Sequence, residues 1–261
     1  MPIQAIRTQR LYRQIADQLR QLIERGEFPP GTLLPPEREL AQALGVSRAS
    51  VREALIALEV VGQVEVRVGH GVVVLEPKAA SALPVMSQAA RQQPWTLDPE
   101  FSDETTLDFE EEIPPYALLQ ARRHVEPEAA ALAAEHVTPE ALESIREAFT
   151  RNVEDNRRVQ KRGGGGRPHS HAGDRLFHMR IAEASGNPAY ALLIKHLLGH
   201  QYGVMFRRLQ ELYMTTDMSD RSQEDHQRIL DALIAKDANA ARAAMANHLD
   251  YVLETFFTEA E

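Results

Sequence analysis

Asp174 and His178 stand four residues apart in a stretch, Gly173 to Ser185, that is patterned as a helix, so the two side chains leave one face on successive turns. A carboxylate and an imidazole at that spacing can share a divalent cation. Two more histidines lie in helix-patterned sequence downstream: His226 near the start of one segment, and His248 midway along the last, among Ala244, Met245 and Leu249. A histidine set among apolar residues needs a partner, and a metal would satisfy several at once. Taken singly these signals are weak, because an isolated Asp-x-x-x-His is more often structural or exposed, and a lone core histidine is more often hydrogen-bonded than ligated. His196 and His200 form a competing i, i+4 pair. Gly203 and Arg207 continue their stripe at i+7 and i+11, so that face also reads as the lining of a pocket, with Arg207 a candidate contact for an acidic ligand. His169 and His171, beside the run Gly163 to Gly166, read as exposed. The chain has no cysteine, which excludes disulfides, thiolate metal sites and cysteine nucleophiles and leaves imidazole and oxygen as the only strong metal ligands.

The elements that must carry these residues fall into two groups. Leu11, Ile15, Leu19, Leu22 and Ile23 make the stripe of an amphipathic helix ended near Gly26. Pro35-Pro36 leads into a second helix that Gly45 stops, and Ser47 caps a third. In that third helix Val51, Ala54, Leu55 and Leu58 face inward, while Arg48, Ser50 and Arg52 are expected to face out. Val64 to Arg67 and Val72 to Leu75 then pair as strands around Gly69-His70-Gly71. A short helix, a glycine-ended turn, a capped helix and a glycine-tipped hairpin together describe a winged helix-turn-helix, a device that reads DNA. His70, at the wing tip, is placed to touch a minor groove or a phosphate.

Net charge is −9, which is unexpected for a DNA binder until it is divided. Through residue 78 there are 10 basic and 9 acidic residues, leaving 19 basic and 29 acidic for the remainder, so the acidity belongs elsewhere. Residues 78–115 are punctuated by prolines, and between Trp95 and Pro115 there are eight acidic residues and no basic one. This segment reads as an extended linker with a short helix near Ala79 to Gln93. It separates a DNA-binding domain, 1–77, from a third region, 116–261. No window approaches the roughly 18 apolar residues of a membrane span, and the N-terminus lacks the apolar core of a secretory signal, so a cytoplasmic protein is expected.

From Tyr116 onward the pattern is helical throughout: Tyr116 to His136 with Pro127 inside it, Ala141 to Gln160, Gly173 to Ser185, Pro188 to about Met214, Gln223 to Ala235, and Ala238 to about Phe257. The glycine run before the third of these is a flexible loop and no phosphate cradle, since no strand precedes it and no Gly-Lys-Ser/Thr follows. The fold expected is therefore mainly α: a winged helix-turn-helix with a small β-hairpin, then an antiparallel bundle of six or seven helices.

Pro30-Gly31, Leu34-Pro35, Glu37-Arg38-Glu39-Leu40-Ala41, Leu44-Gly45-Val46-Ser47-Arg48, Val51-Arg52-Glu53-Ala54-Leu55 and Gly69-His70-Gly71 resemble the DNA-binding domain of the GntR superfamily of bacterial transcription regulators. The later part resembles the FadR C-terminal ligand domain: Ala121-Arg122 with Glu126, Asp174 to His178 followed by Ala184-Ser185-Gly186-Asn187, Asp225-His226, and Ala243 to Leu249. The resemblance implies that Asp174, His178, His226 and His248 bind a divalent cation, Zn, Ni or Mn, on the floor of a cavity in the bundle. It implies that Arg122 receives the carboxylate of a small organic acid at the open side of that metal. It assigns Arg38, Ser47, Arg48, Ser50 and Arg52 to DNA contacts and Gly69 to the wing tip in the minor groove. Within the group, the runs Ala121 to Glu126 and Asp225 to Leu249 are most similar to regulators of sugar-acid (hexuronate) catabolism. Two positions depart from the family pattern: Pro36 stands where a capping serine is usual, leaving a first-turn proline, and Gln63 stands where an apolar residue usually follows the glycine, which loosens the expected packing of the wing.

The function these readings imply is a homodimeric repressor on a palindromic operator, released when the acid binds at the metal. One alternative is a regulator that senses the metal itself. Another is a metal-dependent hydrolase or lyase, weakened by the lack of His-Glu-x-x-His and of a placed general base, and by a DNA-binding domain it leaves unexplained. An enzyme is not expected.

Overall fold

A computed structural model describes residues 10–76, 112–161 and 172–257. The chain divides into two compact units, residues 1–92 and 93–261, each built on its own core.

In the first unit, α1 (Leu11–Glu24) buries Tyr12, Ile15, Ala16 and Leu19 and packs on α3 (Arg48–Val60), whose Val51, Ala54, Leu55 and Leu58 are also buried. α2 (Glu37–Leu44) ends at Gly45, whose φ of 66° places it in the left-handed region that favours glycine. Ser47 then caps α3, its hydroxyl oxygen accepting from the Ser50 backbone N–H at 3.1 Å. Pro36 is the N-cap residue of α2 itself and not a first-turn residue as its position in the sequence suggested, and it gives no side-chain cap. The wing is an antiparallel pair, β1 (Val64–Arg67) and β2 (Gly71–Val74), with Val64 opposite Val74 and Val66 opposite Val72. All four valines are buried, so Gln63 does not loosen the ribbon. Leu34 donates its backbone N–H to Val72 and Gly31 donates to Val74, both at 2.8 Å, which ties the α1–α2 connection to the wing.

The second unit contains seven α-helices among the described residues: α4 (Pro115–His136), α5 (Pro139–Lys161), α6 (Ala172–Ala184), α7 (Pro188–Gly199), α8 (Val204–Tyr213), α9 (Thr216–Ile234) and α10 (Ala238–Phe257). α4 continues through Pro127. Alanines on α4 (Ala129, Ala130, Ala133, Ala134) and on α10 (Ala241) line a core filled by Ile145, Phe177, Ile181, Ile229, Leu233, Met245 and Leu249. Small side chains let α4 lie close along α10, and α6 sits against both α4 and α5.

Three boundaries differ from the sequence reading. The single helix expected from Pro188 to Met214 is two, separated by a 3₁₀ turn, His200–Tyr202, and by Gly203. α9 begins at Thr216, seven residues before Gln223, because Thr215 accepts from the Met218 N–H at 3.2 Å and starts a turn with little apolar pattern to announce it. The linker does not run free to residue 115: Glu112 is buried and α4 starts at Pro115. The helix expected near Ala79 to Gln93 and the glycine run lie outside the described residues, as do His169 and His171.

Candidate functional site

Three helices bring the metal-type side chains together. His178 comes from α6, His226 from α9 and His248 from α10, and the ligand atoms of the three lie within 4.8 Å of one another. His178 Nε2 is 3.2 Å from His226 Nε2, which is 3.3 Å from His248 Nε2. Asp174, one turn before His178, places Oδ1 3.6 Å from the same His226 nitrogen. All three imidazoles are buried, whereas the Asp174 side chain keeps 23% of its surface exposed and so marks the open side.

The approach of α6 depends on Gly173. A Cβ there would lie 2.4 Å from the Asn152 backbone nitrogen and 2.5 Å from its Cα, so only glycine lets the first turn of α6 press on the backbone of α5. That contact puts Asp174 over the core and leaves Asn152 beside His226, whose Nδ1 lies 2.8 Å from the amide Nδ2 position. Asp155 closes the same end, accepting from the Gly173 N–H at 3.1 Å.

α4 supplies what fixes the tautomer of His178. Glu126 Oε2 lies 2.5 Å from His178 Nδ1, and Glu126 Oε1 accepts from Arg122 Nε at 2.5 Å. A carboxylate on Nδ1–H leaves the Nε2 lone pair aimed at the other two imidazoles, the arrangement seen behind metal-bound histidines. With the amide oxygen of Asn152 turned to Nδ1–H, His226 is oriented the same way.

The electrostatics favour ligation. Burial pushes His226 down to about 3 and His248 well below its ordinary range, against the opposing pull of Asp174, so both are neutral with lone pairs available near pH 7. Burial opposes charge on Asp174, but His178, His226, Arg122 and His248 more than offset it and hold its carboxyl well below the carboxylate range. Glu126 meets the same desolvation, outweighed by Arg122 and His178, and is pulled down to about 2.

The donor set fits a divalent ion. Two nitrogens each about 2.1 Å from one ion lie about 3.0 Å apart at a right angle and about 3.4 Å apart at the tetrahedral angle. The 3.2 and 3.3 Å separations fall between those limits. Neutral imidazoles with converging lone pairs gain nothing from each other at such distances, so a cation is what the cluster lacks.

The other candidates are placed differently. Arg122 is 2% exposed, and its Nε and Nη2 donate to Glu126. Arg207 lies beyond the break at Gly203, so it does not share a continuous stripe with His196. It is half-buried on α8, where burial lowers its pKa against the opposing field of Glu112 and Glu211, and Arg175 adds to the lowering. His196 and His200 pair through Nε2 atoms 3.3 Å apart, but no third metal-type side chain joins them among the described residues.

On the first unit, Arg38 and Ser47 are exposed and Arg48 and Ser50 are half-buried on the first turn of α3. Gly69, with φ of 76°, turns the wing tip, and His70 is exposed there with Nδ1 3.1 Å from the Val68 carbonyl oxygen. Arg52 does not face out as expected. It is 5% exposed and clamped on Glu37, donating Nε at 3.0 and 3.1 Å and Nη2 at 2.6 Å, which bolts the start of α2 to α3.

Comparison with known proteins bears on both units. Residues 11–74 match the family of bacterial regulatory proteins named gntR, and residues 117–251 match the FCD domain. The chain is 34% identical over 251 residues to the Uxu operon transcriptional regulator of Escherichia coli (strain K12), covering 95% of this chain and 87% of that protein. The chain belongs to the GntR family. It is 32% identical over 252 residues to the Exu regulon transcriptional regulator of the same strain, covering 96% and 86%. Among solved structures, Streptococcus agalactiae GntR aligns with 26% identity and a TM-score of 0.41 over 93% of this chain and 99% of that one. This GntR-family chain is thus a DNA-binding transcription regulator with an FCD domain, and among its described residues no helix is long and apolar enough to cross a membrane.

Sequence reasoning had no role for Glu126 or Asn152. Glu126 was legible as the i+4 partner of Arg122 on one helix face. Asn152 carried no local signal, because it meets His226 only through the close approach that Gly173 allows.

Proposed function

We propose that this GntR-family regulator is a cytoplasmic repressor of a sugar-acid operon, bound as a homodimer to a palindromic operator and released by a hexuronate. The effector reading rests on one observation: the Nε2 atoms of three buried histidines from α6, α9 and α10 converge beside Asp174. His178, His226, His248 and Asp174 would hold Zn, Ni or Mn, which supplies open coordination positions for the oxygens of a carboxylate. Arg122, tied through Glu126 to His178, orients the ligand set and places a guanidinium charge behind it. The similarity to the Uxu and Exu regulators supports a hexuronate as the acid.

On DNA, Arg48 is assigned to base reading, with Arg38, Ser47, Ser50, Gly69 and His70 on the backbone or in the minor groove. Arg52 acts from behind, by holding α2 against α3.

The test uses the full chain, metal-loaded, with duplex DNA that it selects from a randomised library. Glucuronate or galacturonate is expected to weaken DNA binding at least about tenfold, equivalent to ~1.4 kcal/mol of coupling. Release on stripping the metal, with no response to either acid, would instead make the chain a metal sensor. Turnover of either acid by the chain would return the hydrolase or lyase reading.

A further inference from the structure

Glu112 is the last residue of the acidic run that precedes the effector domain, and it does not stay in water. It is 1% exposed, with Oε2 accepting from the Met205 N–H at 3.3 Å in the first turn of α8. The neighbouring Ile113 N–H donates to His200 Nδ1 at 3.3 Å. The break between α7 and α8 makes room for this carboxylate. A Cβ on Gly203 would sit 1.5 Å from Glu112 Oε1, 2.3 Å from its Cδ and 2.5 Å from its Cγ. The backbone of Gly203 has φ of −58° and ψ of 157°, which any residue can adopt, so glycine is needed there for the space and not for the dihedrals.

The electrostatics agree with the steric picture. The start of a helix presents N–H groups and a partial positive charge to an anion. Arg207, one turn further along α8, has a buried Nε without a hydrogen-bond partner among the described residues, and Glu112 opposes the lowering of its pKa that burial causes. A carboxylate delivered from the linker side therefore sits where α8 and Arg207 both favour negative charge.

We propose that Glu112 and Gly203 form a clasp that fastens the entry of the linker to the effector domain, and that closure of this clasp sets how firmly the linker holds the DNA-binding domain for operator binding. The functional half rests on the regulator reading above. α8 carries both the seat and Arg207, so a rearrangement of α8 is felt directly at the residue where the linker ends. Among the acidic residues of the run, Glu112 is singled out because its seat is built by the α7–α8 break and by a glycine that no dihedral requires.

The test is hydrogen exchange on the full-length protein, combined with affinity for the selected duplex DNA. Gly203→Ala should evict the Glu112 side chain, and Glu112→Ala should empty the seat from the other side. Each is expected to speed exchange of the Met205 and Ile113 amides by about tenfold or more, without loss of bound metal, and each should shift operator affinity by a similar factor. On the Glu112→Ala background, Gly203→Ala should add little, since the clash is with atoms already removed. Unchanged exchange in both variants, or fully additive effects, would overturn the clasp; faster exchange with unchanged operator affinity would overturn its control of the linker. A wild-type chain that selects no DNA would defeat the regulator reading, while exchange and the double variant would still decide whether the clasp exists.

Discussion

The DNA-binding unit and the effector unit use polar side chains in opposite ways. In the first, Arg38, Ser47 and Arg48 come from eleven consecutive positions and lie at or near the surface, held by local devices: a left-handed glycine, a serine cap and a two-stranded ribbon. In the second, Asp174, His178, His226 and His248 span seventy-five positions and meet inside a core, backed by the buried pair Arg122 and Glu126. A surface that must meet a polyanion can be written locally and loses little when one side chain is trimmed. A buried cluster of polar groups has to be assembled by packing, and each member left alone inside the core is costly.

That contrast predicts a ranking of effects. Glu126→Ala should be the most damaging single change, because it strands the Arg122 guanidinium in the core and frees His178 to turn. Chemical denaturation should show a loss of about 3–5 kcal/mol, and metal affinity should fall about 10–100-fold. Glu126 also gives the contrast a pH signature. Its folded pKa, about 2, lies below the ordinary value of 4.5, so its stabilising contribution is complete above pH 4.5 and disappears as pH falls towards 2. Denaturation midpoints measured across that range should drop more steeply for the wild type than for Glu126→Gln.

Arg52→Ala should come next, at about 3 kcal/mol, since Glu37 loses the partner that joins α2 to α3. This variant cuts across the comparison, because it sits in the DNA-binding unit but is buried. A loss confined to DNA affinity, with stability unchanged, would show that Arg52 belongs with the surface arginines after all. Gly173→Ala should cost about 1–3 kcal/mol by forcing α6 off α5, and its metal affinity should fall with it. Ser47→Ala is smaller, about 1 kcal/mol from the lost cap, seen in thermal melts. Arg38→Ala should leave stability nearly unchanged and reduce the salt dependence of DNA binding by about one charge.

The same contrast explains what the sequence could and could not show. The turn at Gly45, the Ser47 cap and the Gly69-His70-Gly71 tip are readable because each is decided by residues within a few positions. Asp174 and His178 are readable as a pair for the same reason. Arg52 is not readable in this way, because its partner, Glu37, is fifteen residues away on another helix, and a helical wheel alone cannot show which arginine meets a carboxylate. Gly203 and Glu112 lie ninety-one positions apart, so the break in the Pro188 to Met214 helix had no local cause to find; the apolar pattern continues across it. Asn152 reaches His226 only because a glycine elsewhere lets two backbones touch.

Asp174, His178, His226 and His248 are proposed to enclose one divalent ion, and both the effector site and its coupling to DNA depend on it. Elemental analysis of the purified full-length chain, with calorimetric titration of metal into protein stripped by chelator, tests it directly. One ion per chain is expected, with affinity falling at least about 100-fold in His226→Ala and likewise in His248→Ala, while His196→Ala binds as the wild type does. Stoichiometric metal retained with unchanged affinity in both of the first two variants would contradict it.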